Sequence, residues 1–126
     1  MMKDIIVKTP NQPGTLATVC ETLGNAGINI EGLCDSAGGI HVCIKNEDVT
    51  TARKDLTEAG MKVVDEQDII ILDFESENAI GTPGALGKIL RKIANEGISV
   101  EFSYGLENNR YVIGVDNLEK ALEAIK

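Results

Sequence analysis

The chain has 126 residues, 43% of them hydrophobic, and a formal net charge of −8 from 20 acidic and 12 basic side chains. That hydrophobic fraction is globular rather than disordered, and the length allows one ordinary domain or two very small ones. The acidic balance argues against a nucleic-acid or anionic-membrane partner.

Asp4-Ile5-Ile6-Val7-Lys8 reads as a strand, and Thr9-Pro10-Asn11-Gln12-Pro13-Gly14 is dense in turn formers. Leu16, Val19, Cys20 and Leu23 then recur at the spacing of one helix face, and Gly27 is a natural left-handed cap. Ile28, Ile30, Gly32 and Cys34 alternate with polar residues as in a half-buried strand. Ala37-Gly38-Gly39 predicts a turn, and Ile40, Val42 and Ile44 the returning strand. Asp48 is placed to cap a second helix with the stripe Val49, Ala52 and Leu56. Gly60 stops it, and Lys62-Val63-Val64-Asp65 begins a fourth strand. The order βαββαβ is the ferredoxin-like pattern, four antiparallel strands with two helices on one face.

The chain then repeats itself. Residues 13–31, PGTLATVCETLGNAGINIE, align without a gap on residues 83–101, PGALGKILRKIANEGISVE, at a constant offset of seventy. A shared block of this length marks a duplicated unit. In the second copy Ile69 to Phe74 is a strand, and Leu86, Ile89, Leu90 and Ile93 are the helix stripe. A hairpin from Ile98 to Tyr104 and from Arg110 to Val115 turns near Asn108-Asn109. Asp116 and Glu119 have capping-box spacing ahead of a last helix with the stripe Leu118, Ala121, Leu122 and Ile125. The second unit has no room for a fourth strand. The expected fold is therefore α+β: two tandem ferredoxin-like units with antiparallel sheets, residues 1–67 and 68–126, the second lacking its last strand.

The junctions Asn11-Gln12-Pro13-Gly14 and Gly81-Thr82-Pro83-Gly84 carry the main functional signal. A helix N-terminus presents unpaired N–H groups and partial positive charge, which suits a carboxylate. Gly14 and Gly84 let a ligand approach the backbone. Asn11 adds an amide that both donates and accepts, which fits a zwitterion. Pro-Gly ahead of a helix is also a common turn, and the residues alone leave both readings open.

NQPGTLATVCETLGNAGINIEGL resembles the ACT domain, a small ligand-sensing unit of amino-acid metabolism, and TPGALGKILRKIANEGISVEFSY matches nearly as well. The resemblance covers almost the whole chain and is to stand-alone tandem ACT proteins without a catalytic domain. It implies a polar set of Asn11, Gly14 and Asn29, which becomes Gly81, Gly84 and Ser99 in the second unit. The second unit thus loses both amides, which puts an equivalent second site in doubt. The expected ligand-binding residues are Asn11, Gln12, Pro13, Gly14, Thr15 and Asn29, with Gly81, Thr82, Gly84 and Ser99. The first unit is also similar to the small subunit of acetolactate synthase, which implies a regulatory-subunit role as the alternative.

Other constellations are weaker. Cys34, His41 and Cys43 suggest a metal site, but strict alternation places Cys34 with the core and the other two on the opposite face. Two ligands are too few for structural zinc, so no metal is expected. Tyr104 and Tyr111 on facing strands read as cross-strand packing or a stacking platform. The RNA-recognition fold shares the element order, but its K/R-G-F/Y-G/A-F-V-x-F/Y signature is absent. Acylphosphatases also share the order but use an arginine near the first loop, whereas Arg53, Arg91 and Arg110 lie elsewhere. With one histidine and no supported nucleophile–base pairing, no catalytic residue and no cofactor are expected.

Three cysteines without a CxxC suit a reducing compartment. Met1-Met2-Lys3-Asp4 shows no signal-peptide pattern, and no apolar run approaches the roughly 20 residues that span a bilayer. A cytoplasmic protein is expected. It would bind an amino acid or similar small ligand, form a homodimer through its sheet edges, and report to a metabolic enzyme partner.

Overall fold

The computed structural model describes residues 1–10, 12–36 and 39–126. Asn11, and Ala37 and Gly38 of the expected turn, lie outside the described residues. The chain divides into two compact units, Met1–Gln67 and Asp68–Lys126. Each has a ferredoxin-like arrangement of an antiparallel sheet and two helices. Among the described residues no helix is long and apolar enough to cross a membrane.

The first unit runs β1 (Met2–Lys8), α1 (Thr15–Asn25), β2 (Gly32–Ser36), β3 (Gly39–Lys45), α2 (Val49–Glu58) and β4 (Lys62–Asp68). The sheet order is β2-β3-β1-β4. Ile5 pairs with Val42 and Val7 with Ile40, so one sheet face carries a continuous apolar patch. Val19 and Leu23 of α1 and Val49, Ala52 and Leu56 of α2 cover it. Each fully buried Val, Leu or Ile contributes roughly 1.5–3 kcal/mol, and this shared face holds both helices on one side. A left-handed Gly27 (φ 76°) ends α1, letting the Ile28 N–H donate to the Leu23 carbonyl at 3.0 Å.

Two expectations change here. Strict alternation from Ile28 to Cys34 fails, because the strand begins only at Gly32. The Glu31 N–H donates to the Cys43 carbonyl at 2.8 Å, while Gly32 is the register partner of the same Cys43. Two residues thus oppose one, as in a bulge, and the alternation shifts. Ile30 and Leu33 both pack on the core, and Cys34 pairs with His41, on the same face and not the opposite one. Among the described residues no three His, Cys, Asp or Glu side chains gather as a metal site would require. The second change is at Asp48. It sits in a short 3-10 turn (Asn46–Asp48) with helical φ and ψ, and its side chain caps nothing. On the helix-free face Asp4 is fully buried and lies 2.9 Å from Nδ1 of His41.

The second unit runs β5 (Ile70–Asp73), α3 (Ala85–Asn95), β6 (Val100–Leu106), β7 (Arg110–Val115) and α4 (Leu118–Ala124). Its sheet has three strands in the order β5-β7-β6. Ile70, Leu72, Ile113 and Val115 meet Ile93 of α3 and Ala121 of α4 in the core. The hairpin turns through Asn108 and Asn109, both left-handed (φ 60° and 58°), a conformation that asparagine tolerates. Leu122, expected in the stripe of the last helix, is 44% exposed. The cap of that helix is Asn117, whose Oδ1 accepts from the Lys120 N–H at 3.1 Å. Asp116 instead accepts from the Ser99 N–H, so the capping box is not formed.

The tyrosines do not share a face. Tyr104 pairs with Val112, whereas Tyr111 pairs with Gly105 and donates to the Ser103 hydroxyl at 2.9 Å. Tyr104 stacks on Phe102 at a centroid distance of 6.2 Å. Phe102 lies directly over its partner Gly114, where an added Cβ would stand 2.2 Å from the ring. Gly114→Ala is expected to evict the ring and destabilise the protein by about 1–3 kcal/mol in urea denaturation. Gly87→Ala, at an open position in α3, is expected to stabilise by about 0.5–1 kcal/mol in the same assay.

Candidate functional site

The strand-to-helix junction has the same backbone in both units. Gly14 (φ 87°, ψ −8°) is the N-cap of α1, and Gly84 (φ 83°, ψ −2°) is the N-cap of α3. The Thr15 N–H donates to the Gln12 carbonyl, and the Ala85 N–H to the Thr82 carbonyl, each at 3.2 Å. The Gly14 carbonyl accepts from the Thr18 N–H at 2.9 Å, and the Gly84 carbonyl from the Lys88 N–H at 3.0 Å. Neither helix has a side-chain cap. The first-turn amides therefore have no intrahelical partner and stand at the partially positive helix end.

In the first unit a cavity of about 560 Å³ opens between this junction and the free end of the β2–β3 hairpin. Val7, Leu16 and Ile40 supply its apolar lining, and Gln12, Thr15 and Ser36 supply polar groups. Lys8 and Asp35 are its charged residues. Asp35 and Val7 both pair with Ile40, from opposite sides. Asp35 therefore lies on the same sheet face as the helices, two strands from the end of β1. Neither Lys8 nor Asp35 has an ion-pair partner among the described residues.

The expected residues divide. Gln12, Gly14 and Thr15 line the large cavity. Pro13 lines a second hollow of about 310 Å³ on the other side of the loop, beside Ala59, Gly60 and Met61. Asn29 lines neither; it is exposed and donates through Nδ2 to the Glu31 carboxylate. Asn11 lies outside the described residues. In the second unit Gly81, Thr82 and Pro83 line a smaller cavity of about 290 Å³, with Phe74, Ile80 and Leu86. Gly84 and Ser99 do not line it, and it holds no charged residue among those described. Sequence reasoning missed Lys8, Asp35 and Ser36. The signal available was the strand register, which brings the end of β2 across from the end of β1.

At Gly14 and Gly84 an added Cβ would meet nothing within 4 Å, so the requirement at both positions is for the left-handed φ alone. Gly14→Ala and Gly84→Ala are each expected to lose about 1–2 kcal/mol in thermal denaturation, with Asn tolerated better than Ala.

No family model matches the chain, and no curated protein matches it in sequence. Solved structures do. Protein BT0572 from Bacteroides thetaiotaomicron is 27% identical with a TM-score of 0.71, covering 98% of this chain and 85% of that one. The ligand-free regulatory subunit of aspartate kinase from Thermus thermophilus is 20% identical with a TM-score of 0.68, covering 98% and 88%. A structure of aspartokinase alpha and beta subunits is 17% identical with a TM-score of 0.70, covering 98% and 88%. The chain shares its fold with the regulatory subunits of aspartate kinase.

Proposed function

We propose that the protein is a non-catalytic regulatory protein of the ACT type. It binds an amino acid in the cavity of its first unit and reports the binding through a changed protein contact. The observation that carries this reading is the cavity itself, a polar and charged hollow at the repeated strand-to-helix junction. The fold shared with regulatory subunits of aspartate kinase supports it. The test is a thermal-shift panel of the common amino acids, followed by calorimetry. A ligand that binds only the folded state stabilises by roughly 2.7 kcal/mol at about 100 times its dissociation constant. The expected stoichiometry is one ligand per chain, because the second cavity lacks the charged lining. Asn11→Ala and Asn29→Ala are the variants for the polar set that the resemblance implies. Unchanged affinity in both would remove those two residues from the site, and a panel without a single shift would remove the sensor reading.

A second reading, in which the chain modulates a catalytic partner without binding a ligand, draws its partner side from the fold shared with regulatory subunits of aspartate kinase. Co-purification of an enzyme of amino-acid metabolism, together with a silent panel, would select it.

The same proposal includes a homodimer. β5 stands at the end of the second sheet, and Ile70-Ile71-Leu72 is an apolar run on that edge strand, the kind of edge that pairs with another chain. A closed two-fold dimer is the commonest outcome. Sedimentation at micromolar concentration is expected to give twice the 13.5 kDa chain mass. A monomer at that mass, with and without amino acids, would overturn it.

A further inference from the structure

Helix α3 reads ALGKILRKIAN and holds three basic residues and no acidic one, in a chain with a net charge of −8. Lys88, Arg91 and Lys92 stand at i, i+3 and i+4, so they share one face of the helix, and all three are exposed. The apolar side of the helix is committed elsewhere: Ile93 is buried in the core of the second unit, with Leu86, Ile89 and Leu90 packed against it. None of the three cations has an ion-pair partner among the described residues. By contrast, Lys3 and Arg53 both reach Glu66, at 3.4 and 3.1 Å, and Lys126 reaches Glu123 at 3.1 Å.

The helix itself gains little from the cluster. Lys88 faces Arg91 and Lys92 as like charges at i,i+3 and i,i+4, which weakens a helix. The cations also bring the net charge toward zero, so they do not serve solubility. The duplication supplies an internal control. At the seventy-residue offset α1 carries Thr18, Glu21 and Thr22. Its threonine hydroxyls donate to the backbone one turn earlier, Thr18 to the Gly14 carbonyl at 2.9 Å and Thr22 to the Thr18 carbonyl at 2.7 Å. The equivalent helix of the first unit thus stands without a basic residue.

The chemistry of the face selects its occupant. None of the three cations lines a cavity described above, so the face suits carboxylates carried on another surface. The acidic balance of the chain repels a long polyanion such as nucleic acid, and α3 has no aromatic residue on which a base could stack. A membrane-surface helix inserts apolar side chains beside its cations, and those of α3 pack inward. A second copy placed on this face by a two-fold axis would set like charges against each other. We infer that the outer face of α3 docks an acidic surface of a different protein, with carboxylates at helical spacing across from Lys88, Arg91 and Lys92. The inference rests on the reading that the chain acts through a protein contact and assigns that contact a surface; it does not depend on a ligand in the first cavity.

The probe is an alanine-based helical peptide with glutamates at i, i+3, i+4 and i+7, titrated into the isotope-labelled full chain and followed by amide NMR shifts. The same peptide with glutamines, a short DNA duplex and phosphatidylserine vesicles are titrated beside it. The acidic peptide is expected to shift amides of α3 and not of α1, and the glutamine peptide to shift neither. Affinity is expected to fall roughly tenfold or more in the Lys88→Glu, Arg91→Glu, Lys92→Glu triple variant, because three surface attractions become repulsions. It is also expected to fall as salt screens the exposed charges. The Lys88→Gln, Arg91→Gln, Lys92→Gln variant is expected to bind weakly but to melt no lower than the wild type, because glutamine matches lysine and arginine in helix propensity. A melting point lowered by several degrees would assign the cations to the fold and overturn the docking role. So would the absence of peptide binding, shifts centred outside α3, unchanged affinity in the charge-reversed variant, or tighter binding of DNA or vesicles than of the peptide. Salt-sensitive self-association beyond a dimer, abolished by the triple variant, would replace the different protein with a second copy and overturn the assignment as well. None of these outcomes depends on the amino-acid panel, so the sensor reading and this one fail separately.

Discussion

Each unit leaves its first strand and enters its first helix through a glycine in the left-handed region, and much of the molecule follows from that one backbone choice. For any residue with a Cβ the conformation is unfavourable by about 1–2 kcal/mol. Glycine adopts it freely, and the chain can then reverse from strand to helix within one turn. The helix that follows lies back along its own sheet, where Val19 and Leu23, or Ile93, find the apolar face. The same choice leaves the helix without a side-chain cap, because glycine has no oxygen to offer. The first-turn amides thus stand at the mouth of a hollow without a cap from the N-cap side chain.

The duplication preserved this frame and changed what surrounds it. The two glycines differ by only a few degrees in φ and ψ, and the turn hydrogen bonds recur pair by pair. The linings differ in kind. Around the first junction stand Lys8, Asp35 and Ser36; around the second stand Phe74, Ile80 and Leu86. The second offers mainly apolar contact. The duplicated fold thus carries two cavities of unlike lining.

Local signals were legible where local physics decides. The helix stripes apart from Leu122, the Gly27 cap, the turn at Asn108-Asn109 and the three-stranded second sheet follow from spacing and composition. The misreadings share a different cause. Alternation through Ile30 and Cys34 assumed an unbroken pleat, and the two-against-one pairing of Glu31 and Gly32 with Cys43 shifted it. Asp116 has the spacing of a cap, but its carboxylate is committed to the Ser99 N–H just ahead of β6, and Asn117 takes the role. Asp48 gave way because a 3-10 turn starts the helix ahead of it.

The candidate site divides along the same line. The sequence by itself determined the duplication, the α+β order and the Pro-Gly junction, because each is written in contiguous residues whose preferred conformations are set by their own sterics and periodicity. Only the tertiary structure decided that Asp35 and Lys8 share a cavity, that Asn29 lies apart from it bonded to Glu31, and that Cys34 and His41 share a face. These facts depend on strand register. Register is a relation between segments distant in the chain, and a one-residue slip at a bulge reverses which side chains meet.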